Sequence, residues 1–102
     1  MTKDFEIYRA ADVRERRTFE KRKGRILSFR LQLEILVAGE WKVAKRWDTS
    51  HGFVDCDIYN LQGEKKKIIL NVSFEEGLIR AQKDLNEHWH IYRERFLQGV
   101  FP

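Results

Sequence analysis

The fold is decided by residues 25–37, which read RILSFRLQLEILV. Apolar side chains occupy every second position from Phe29 to Val37, and mostly polar residues separate them. Successive side chains of a β-strand point to opposite faces of the sheet, so this alternation is typical of a strand with one buried face. Residues 25–37 therefore give the clearest strand signal in the chain.

Three further strands follow along the chain. A Gly-Glu turn at 39–40 leads into a second alternating run that ends at Trp47. Turn-forming residues at 48–52 and 60–64 then separate two shorter apolar runs. The predicted strands after the first are residues 41–47, 53–59 and 66–70. Short connections join them, and the pattern predicts a four-stranded antiparallel meander.

A long C-terminal helix is predicted after the strands. Ser73 and Glu76 have the spacing of a capping box, and Gly99 is a plausible C-terminal cap. Between them, apolar residues recur at spacings of three and four: Phe74, Leu78, Ala81, Leu85, Trp89, Tyr92 and Phe96. Such a stripe needs a partner, and one face of the meander is available. The predicted fold class is α+β.

Residues 1–24 are harder to assign. Phe5 and Ile7 fit a short strand, whereas residues 10–23 fit a basic helix without a clear apolar stripe. We therefore expect two parts. Residues 1–24 form a basic N-terminal segment, helical or a partly ordered arm, and residues 25–102 form the α+β domain.

The positive charge of the chain is concentrated in this first part. The formal net charge is +4, and residues 14–25 alone carry a net +5. Clustered lysine and arginine bind nucleic-acid phosphates, because binding releases counterions. A solvated helix face whose charges pair with Glu15 and Glu20 is an equally good interpretation. The candidate nucleic-acid-binding residues are Arg14, Arg16, Arg17, Lys21, Arg22, Lys23, Arg25 and Arg46.

The sequence also suggests a compartment. No run of apolar residues is long enough to span a membrane, and the first residues lack the apolar core of a signal peptide. The single cysteine, Cys56, has no partner for an internal disulfide, and its position between apolar residues is typical of a buried structural thiol. We expect a cytoplasmic protein with no membrane partner.

The main concentration of chemically active residues is the turn after Trp47. His51 lies three residues after Asp48 and six before Asp57, and alternation puts Asp55 and Asp57 on the same strand face. His51 is therefore a candidate general acid or base, with Asp48 and Asp57 as candidate catalytic partners.

Two other interpretations of this turn remain open. His51, Asp55 and Asp57 offer nitrogen and oxygen ligands of the kind that Mg²⁺, Mn²⁺ or Zn²⁺ accepts, although the spacing matches no metal-site signature and no cofactor is predicted. Alternatively, Asp48, Thr49 and Ser50 bond backbone groups of the turn and the segment is purely structural.

The segment RWDTSHG at 46–52, followed by Asp57 and by YRERF at 92–96, resembles a group of small uncharacterised bacterial and archaeal proteins. Those proteins share an aromatic-Asp-Thr/Asn-small-His-Gly turn between two strands and a long helix. The chain is more distantly similar to the TumE-type toxins of toxin-antitoxin pairs. The resemblance covers residues 26–98, and for the toxins it implies RNA or translation as the target and an antitoxin-like protein partner.

Two functions of different classes follow. The first is a small nucleic-acid-associated protein, toxin-like and RNA-cleaving, with RNA or DNA as its partner. The alternative is a non-enzymatic interaction module or homodimer that binds through exposed aromatics and one sheet edge or face.

Overall fold

The structure is a computed structural model that describes all 102 residues. Six strands form one antiparallel sheet in the order of the sequence, and one helix follows. The elements are β1 (Thr2–Ala10), β2 (Val13–Arg22), β3 (Arg25–Val37), β4 (Glu40–Asp48), β5 (Val54–Tyr59), β6 (Lys65–Leu70) and α1 (Phe74–Leu97). The α+β class is confirmed, but the prediction of a four-stranded meander is wrong because β1 and β2 extend it to six strands.

The long strand β3 is the centre of the sheet and the main support of the helix. Leu31, Leu33 and Ile35 are fully buried and point toward α1. The alternate residues Gln32 and Glu34 are also buried, although they point to the other face. Over most of its length β3 pairs with β2 along one edge and with β4 along the other, so neither edge of β3 is exposed there.

The helix α1 lies across β3, β4 and β5. Ser73 caps its start, since the Ser73 hydroxyl accepts a hydrogen bond from the backbone N–H of Glu76 at 3.1 Å. Gly99 follows its end with φ of +82°, the left-handed conformation that ends many helices. Both predicted helix ends are confirmed. No helix of the fold has the length and apolarity that crossing a bilayer requires.

The predicted helix or arm in residues 1–24 is wrong, because these residues form β1 and β2. The helix-facing side chains of β2 are Val13, Glu15, Arg17 and Phe19. The two apolar members are interrupted by Glu15 and Arg17, which are both buried and bonded to each other at 2.6 Å. This buried ion pair occupies two positions where a half-buried strand normally has apolar residues, so the sequence of β2 lacks the alternation of apolar and polar residues that would predict a strand.

The second face of the sheet carries no helix, and we call it the open face. The side chains that point to the open face from the middle of the strands are those of Arg16, Thr18, Arg30, Gln32, Arg46, Asp48, Asp55, Asp57 and Lys67. Several of its polar residues are nevertheless buried, because long side chains of neighbouring strands cover them. Arg14, for example, bonds Glu34 at 2.6 Å and lies over the Trp41 ring, and Arg46 Nε donates to Gln32 at 3.0 Å.

The buried pair in β2 makes a stability prediction. Glu15→Ala leaves Arg17 buried without its carboxylate, and we expect a loss of about 3–5 kcal/mol in the free energy of unfolding. Replacing both residues, as Glu15→Leu with Arg17→Leu, removes the buried unpaired charge and should restore most of that loss, since Arg9, the other partner of Glu15, is partly exposed. Urea unfolding, monitored by circular dichroism, measures the free energy of unfolding of each variant.

Glu6→Ala is the matched control. Glu6 pairs with Arg16 at 3.7 Å on the exposed part of the sheet, so its loss should cost less than about 1 kcal/mol. Equal losses for Glu15→Ala and Glu6→Ala would contradict the role given to the buried pair.

Candidate functional site at one end of the sheet

The turn with His51 lies at a defined end of the sheet. In an antiparallel meander alternate connections fall at the same end, so the β2–β3 turn, the β4–β5 loop and the start of α1 lie together. We call this the loop end. The loop is anchored to β3, because Thr49 Oγ1 accepts from the N–H of Phe29 at 3.1 Å and the N–H of Thr49 donates to the Phe29 carbonyl at 3.2 Å.

Three aspartates line the open face where it meets this loop. Asp48 ends β4 and lies directly opposite Asp55 of β5, while Asp57 lies opposite Arg46. The predicted shared face of Asp55 and Asp57 is confirmed. Asp55 is only 1% exposed, and Asp48 and Asp57 are each 7% exposed. Carboxylates this buried need nearby donors or positive charge to remain ionised.

Asp55 is the carboxylate that holds His51. His51 Nδ1 lies 3.2 Å from Asp55 Oδ2, and Lys67 Nζ lies 3.0 Å from the same oxygen. The imidazole itself is 62% exposed, and its other nitrogen has no hydrogen-bond partner within the chain. The result is a fixed ring orientation with one free nitrogen, which is a geometry suited to proton transfer or to metal binding.

Asp48 is held by the loop. Its Oδ1 accepts from the Ser50 hydroxyl at 3.0 Å and from the Ser50 N–H at 3.2 Å. Burial alone would raise the pKa of Asp48, but these two hydrogen bonds, the contact with the Asp55 carboxyl and the nearby charge of Arg30 outweigh it and lower the pKa below its ordinary 3.8. Asp48 is therefore a carboxylate anion at neutral pH.

Asp57 is less well satisfied. Its Oδ1 is buried and has no hydrogen-bond partner, although Lys67 Nζ lies 3.2 Å away without the alignment of a hydrogen bond. The hydrogen bond to Asp55 and the contact with Asp57 raise the pKa of Lys67, which is exposed to solvent. Lys67 is thus a cation shared between Asp55 and Asp57.

A polar cavity of about 250 Å³ lies beside the loop on the open face. Its lining residues are Thr18, Ser28, Phe29, Arg30, Asp48, Thr49 and Ser50. Arg30 is exposed and forms no ion pair within 4.0 Å, although its charge reaches Asp48. The cavity offers hydroxyls, one carboxylate and one guanidinium, which suits a small polar or anionic group.

The structure separates the predicted basic residues into three groups. Arg17 is buried under the helix with Glu15, and Arg14 is paired with Glu34. Arg16 and Arg46 lie in the middle of the open face. The remaining four lie around the β2–β3 turn: Lys21, Arg22, Lys23 and Arg25. Successive residues of a strand point to opposite faces of the sheet, so the continuous run of basic residues in the sequence does not form one continuous surface.

The donor atoms that converge differ from the predicted metal ligands His51, Asp55 and Asp57. One donor atom each from Asp48, His51 and Asp55 lies within 4.8 Å of the others. Asp48 enters this group because β4 and β5 pair in a register that puts it opposite Asp55. The catalytic candidates His51 and Asp48 are therefore close together, and Asp57 is joined to them through Lys67.

A second polar cluster on the helix side was missed from the sequence. Asp84 accepts from Tyr92 at 2.6 Å and from Lys45 at 2.9 Å, and His88 Nδ1 lies 3.1 Å from it. Burial raises the pKa of Asp84, but these bonds outweigh it and lower the pKa overall. The sequence feature that could have revealed this cluster is the four-residue spacing of Asp84, His88 and Tyr92, which aligns them on one face of a helix.

Cys56 lies near this cluster and is buried, as predicted. Burial is the largest cause that raises the pKa of its thiol to about 12. The thiol is therefore protonated at neutral pH and is a poor nucleophile.

Comparison with known proteins identifies a family. The family model described as "Domain of unknown function (DUF7718)" matches residues 1–102, so the chain belongs to that family. No curated protein and no solved structure matches the chain significantly.

The bonds around Asp48 predict a pH effect. Ser50→Ala removes the hydroxyl that helps to lower the pKa of Asp48, so that pKa should rise. A carboxylate with a lowered folded pKa contributes stability above its unfolded pKa and loses it as the pH falls through the folded pKa. The stability advantage of the natural protein over Ser50→Ala should therefore be present above about pH 4 and vanish in stronger acid.

A ¹³C NMR titration of the Asp48 carboxyl measures the pKa directly. Ser28→Ala is the control, since Ser28 lines the same cavity but makes no hydrogen bond to Asp48. If Ser50→Ala leaves the Asp48 pKa unchanged, as the control Ser28→Ala should, then the Ser50 hydroxyl does not lower the pKa of that carboxylate.

Proposed function

We propose that this family member binds single-stranded RNA at the loop end of its sheet. The first contact is the cationic tip, defined as Lys21, Arg22, Lys23 and Arg25. None of these four exposed side chains forms an ion pair within the chain, and this observation carries the proposal. Unpaired cations at one end of a protein are available to phosphates.

The pairing of the tip strands supports a role beyond folding. Arg22 lies directly opposite Arg25, and like charges in such cross-strand pairs destabilise a sheet. The positive φ values of Lys23 (51°) and Gly24 (76°) are those that a two-residue hairpin turn requires, and Ala38 and Gly39 repeat them in the β3–β4 turn, so they need no ligand as an explanation. The facing arginines, in contrast, do not help the hairpin to fold, so a ligand is the more economical reason for this charge arrangement.

The surroundings of the tip favour a single strand. Arg30 and the polar cavity lie on β3 between the tip and the β4–β5 loop. Phe53 is 40% exposed in that loop and stacks with His51 at 6.0 Å between ring centroids. An exposed aromatic beside a cationic track is the common arrangement for binding unpaired bases.

The tip arginines provide the direct test. Arg22→Ala with Arg25→Ala should weaken the binding of a fluorescein-labelled oligouridine and reduce the slope of log K against log salt concentration by about 0.7 for each lost phosphate contact. Because like charges are removed, the melting temperature should stay the same or rise. Fluorescence anisotropy at several salt concentrations and thermal denaturation measure the two effects.

Lys65→Ala with Lys83→Ala is the control with the same loss of charge. Lys65 starts β6 at the far end of the sheet and Lys83 is exposed on α1, so binding should change little. If the natural protein binds no oligonucleotide at low salt, the proposal fails. That result would favour a protein contact through Ile68 and Ile69, which are 52% and 64% exposed on edge strand β6.

RNA cleavage at His51 is a second, finer candidate activity. Its support is the exposed imidazole, fixed through Nδ1 by buried Asp55, at the end of the sheet that holds the tip. The free nitrogen would take the proton of a ribose 2′-hydroxyl, whose oxygen attacks phosphorus and expels the 5′-oxygen. A 2′,3′-cyclic phosphate and a 5′-hydroxyl are the products, once the leaving oxygen takes a proton from water and the His51 imidazolium gives its proton to the resulting hydroxide.

His51→Ala should abolish this cleavage and leave the melting temperature within a few degrees of the natural value, because the side chain is exposed. The assay follows labelled RNA on a denaturing gel. His88→Ala is the control, since His88 makes an equivalent bond to the carboxylate four residues away, on α1. Absence of cleavage by the natural protein, or equal loss in both variants, would refute the activity.

A further inference from the structure

We propose that Asp48, His51 and Asp55 form a binding site for one divalent transition-metal ion, such as Zn²⁺ or Mn²⁺. The three residues bring one imidazole nitrogen and two carboxylate oxygens within 4.8 Å of one another. This proposal goes beyond RNA binding, because it concerns a different ligand and is tested with metal ions alone.

The charge at the site is the first argument. Asp48, Asp55 and Asp57 are all buried, but Lys67 is the only lysine or arginine within 4.0 Å of any of them. Three buried carboxylates thus share one ammonium group at ion-pair distance, while His51 contacts Asp55 and Arg30 acts on Asp48 from farther away. A divalent ion between Asp48 and Asp55 supplies the missing positive charge.

The unpartnered oxygen of Asp57 is the second, independent observation. Asp57 Oδ1 is buried without a hydrogen bond, yet it lies 3.2 Å from Lys67 Nζ. The Lys67 ammonium has three N–H donors and directs one of them at Asp55 Oδ2, an oxygen that the metal would need. When an ion takes that oxygen, Lys67 turns to Asp57 Oδ1, and the unpartnered oxygen is satisfied.

The donor set determines the class of ion. Imidazole suits zinc and other transition metals, while the two carboxylates also suit manganese, as they do calcium and magnesium. Two ligands of one zinc ion, each at about 2.1 Å, lie at most about 4.2 Å apart. Metal binding would therefore draw the donor atoms together from their present spread of 4.8 Å, and His51 can take part in this shift because its side chain is 62% exposed.

Calorimetric titration of the full chain with Zn²⁺, and separately with Mn²⁺, tests the site. The natural protein should bind one ion, and His51→Ala should bind it about tenfold more weakly or worse. Lys67→Met removes the competing ammonium and should bind the ion severalfold more tightly, although its metal-free form is less stable. Weaker metal binding by His51→Ala together with tighter metal binding by Lys67→Met distinguishes a metal site from a structural ion-pair network.

His88→Ala should leave the affinity unchanged, because His88 and Asp84 form a similar pair outside the site. Circular dichroism confirms that each variant is folded before titration. The proposal is overturned if the natural protein binds neither ion, if His51→Ala binds like the natural protein, or if Lys67→Met binds more weakly. RNA binding by the tip is measured separately, so either proposal can fail alone.

Discussion

A single helix has to cover one face of a six-stranded sheet, and the rest of the structure depends on this constraint. A helix with its side chains is about 10–12 Å wide, and neighbouring strands are about 4.8 Å apart. The helix α1 therefore reaches β3, β4 and β5 and leaves the outer strands partly uncovered. The borders of the helix are ionic instead of apolar, as in the pairs Glu15–Arg17, Asp12–Arg93 and Lys45–Asp84.

The same constraint explains which parts of the fold were predictable. Strands under the helix need apolar residues at alternate positions, so the patterns ending at Val37 and Trp47 revealed β3 and β4. The helix was predictable from its apolar stripe and from Ser73 and Gly99. In contrast, β2 lies at the border, where buried Glu15 and Arg17 replace apolar residues, and its strand pattern is hidden.

The candidate site was predictable only in part, because its composition depends on contacts between strands. His51 and the shared face of Asp55 and Asp57 follow from local sequence. The contact of Asp55 with Lys67 and the position of Asp48 opposite Asp55 depend on the pairing of β5 with β4 and β6. Likewise, only the strand assignment shows which basic residues are buried as partners and which remain unpaired at the cationic tip.

The central claim is that ligand binding occurs at the loop end, on unpaired charges that folding does not require. Mapping of backbone amide shifts by NMR during titration with a single-stranded oligouridine tests it most directly. The claim predicts that the largest shifts fall on residues 21–30 and 49–53. Shifts concentrated on the exposed side of α1 or on the edge strand β6, with none at the β2–β3 turn, would contradict it.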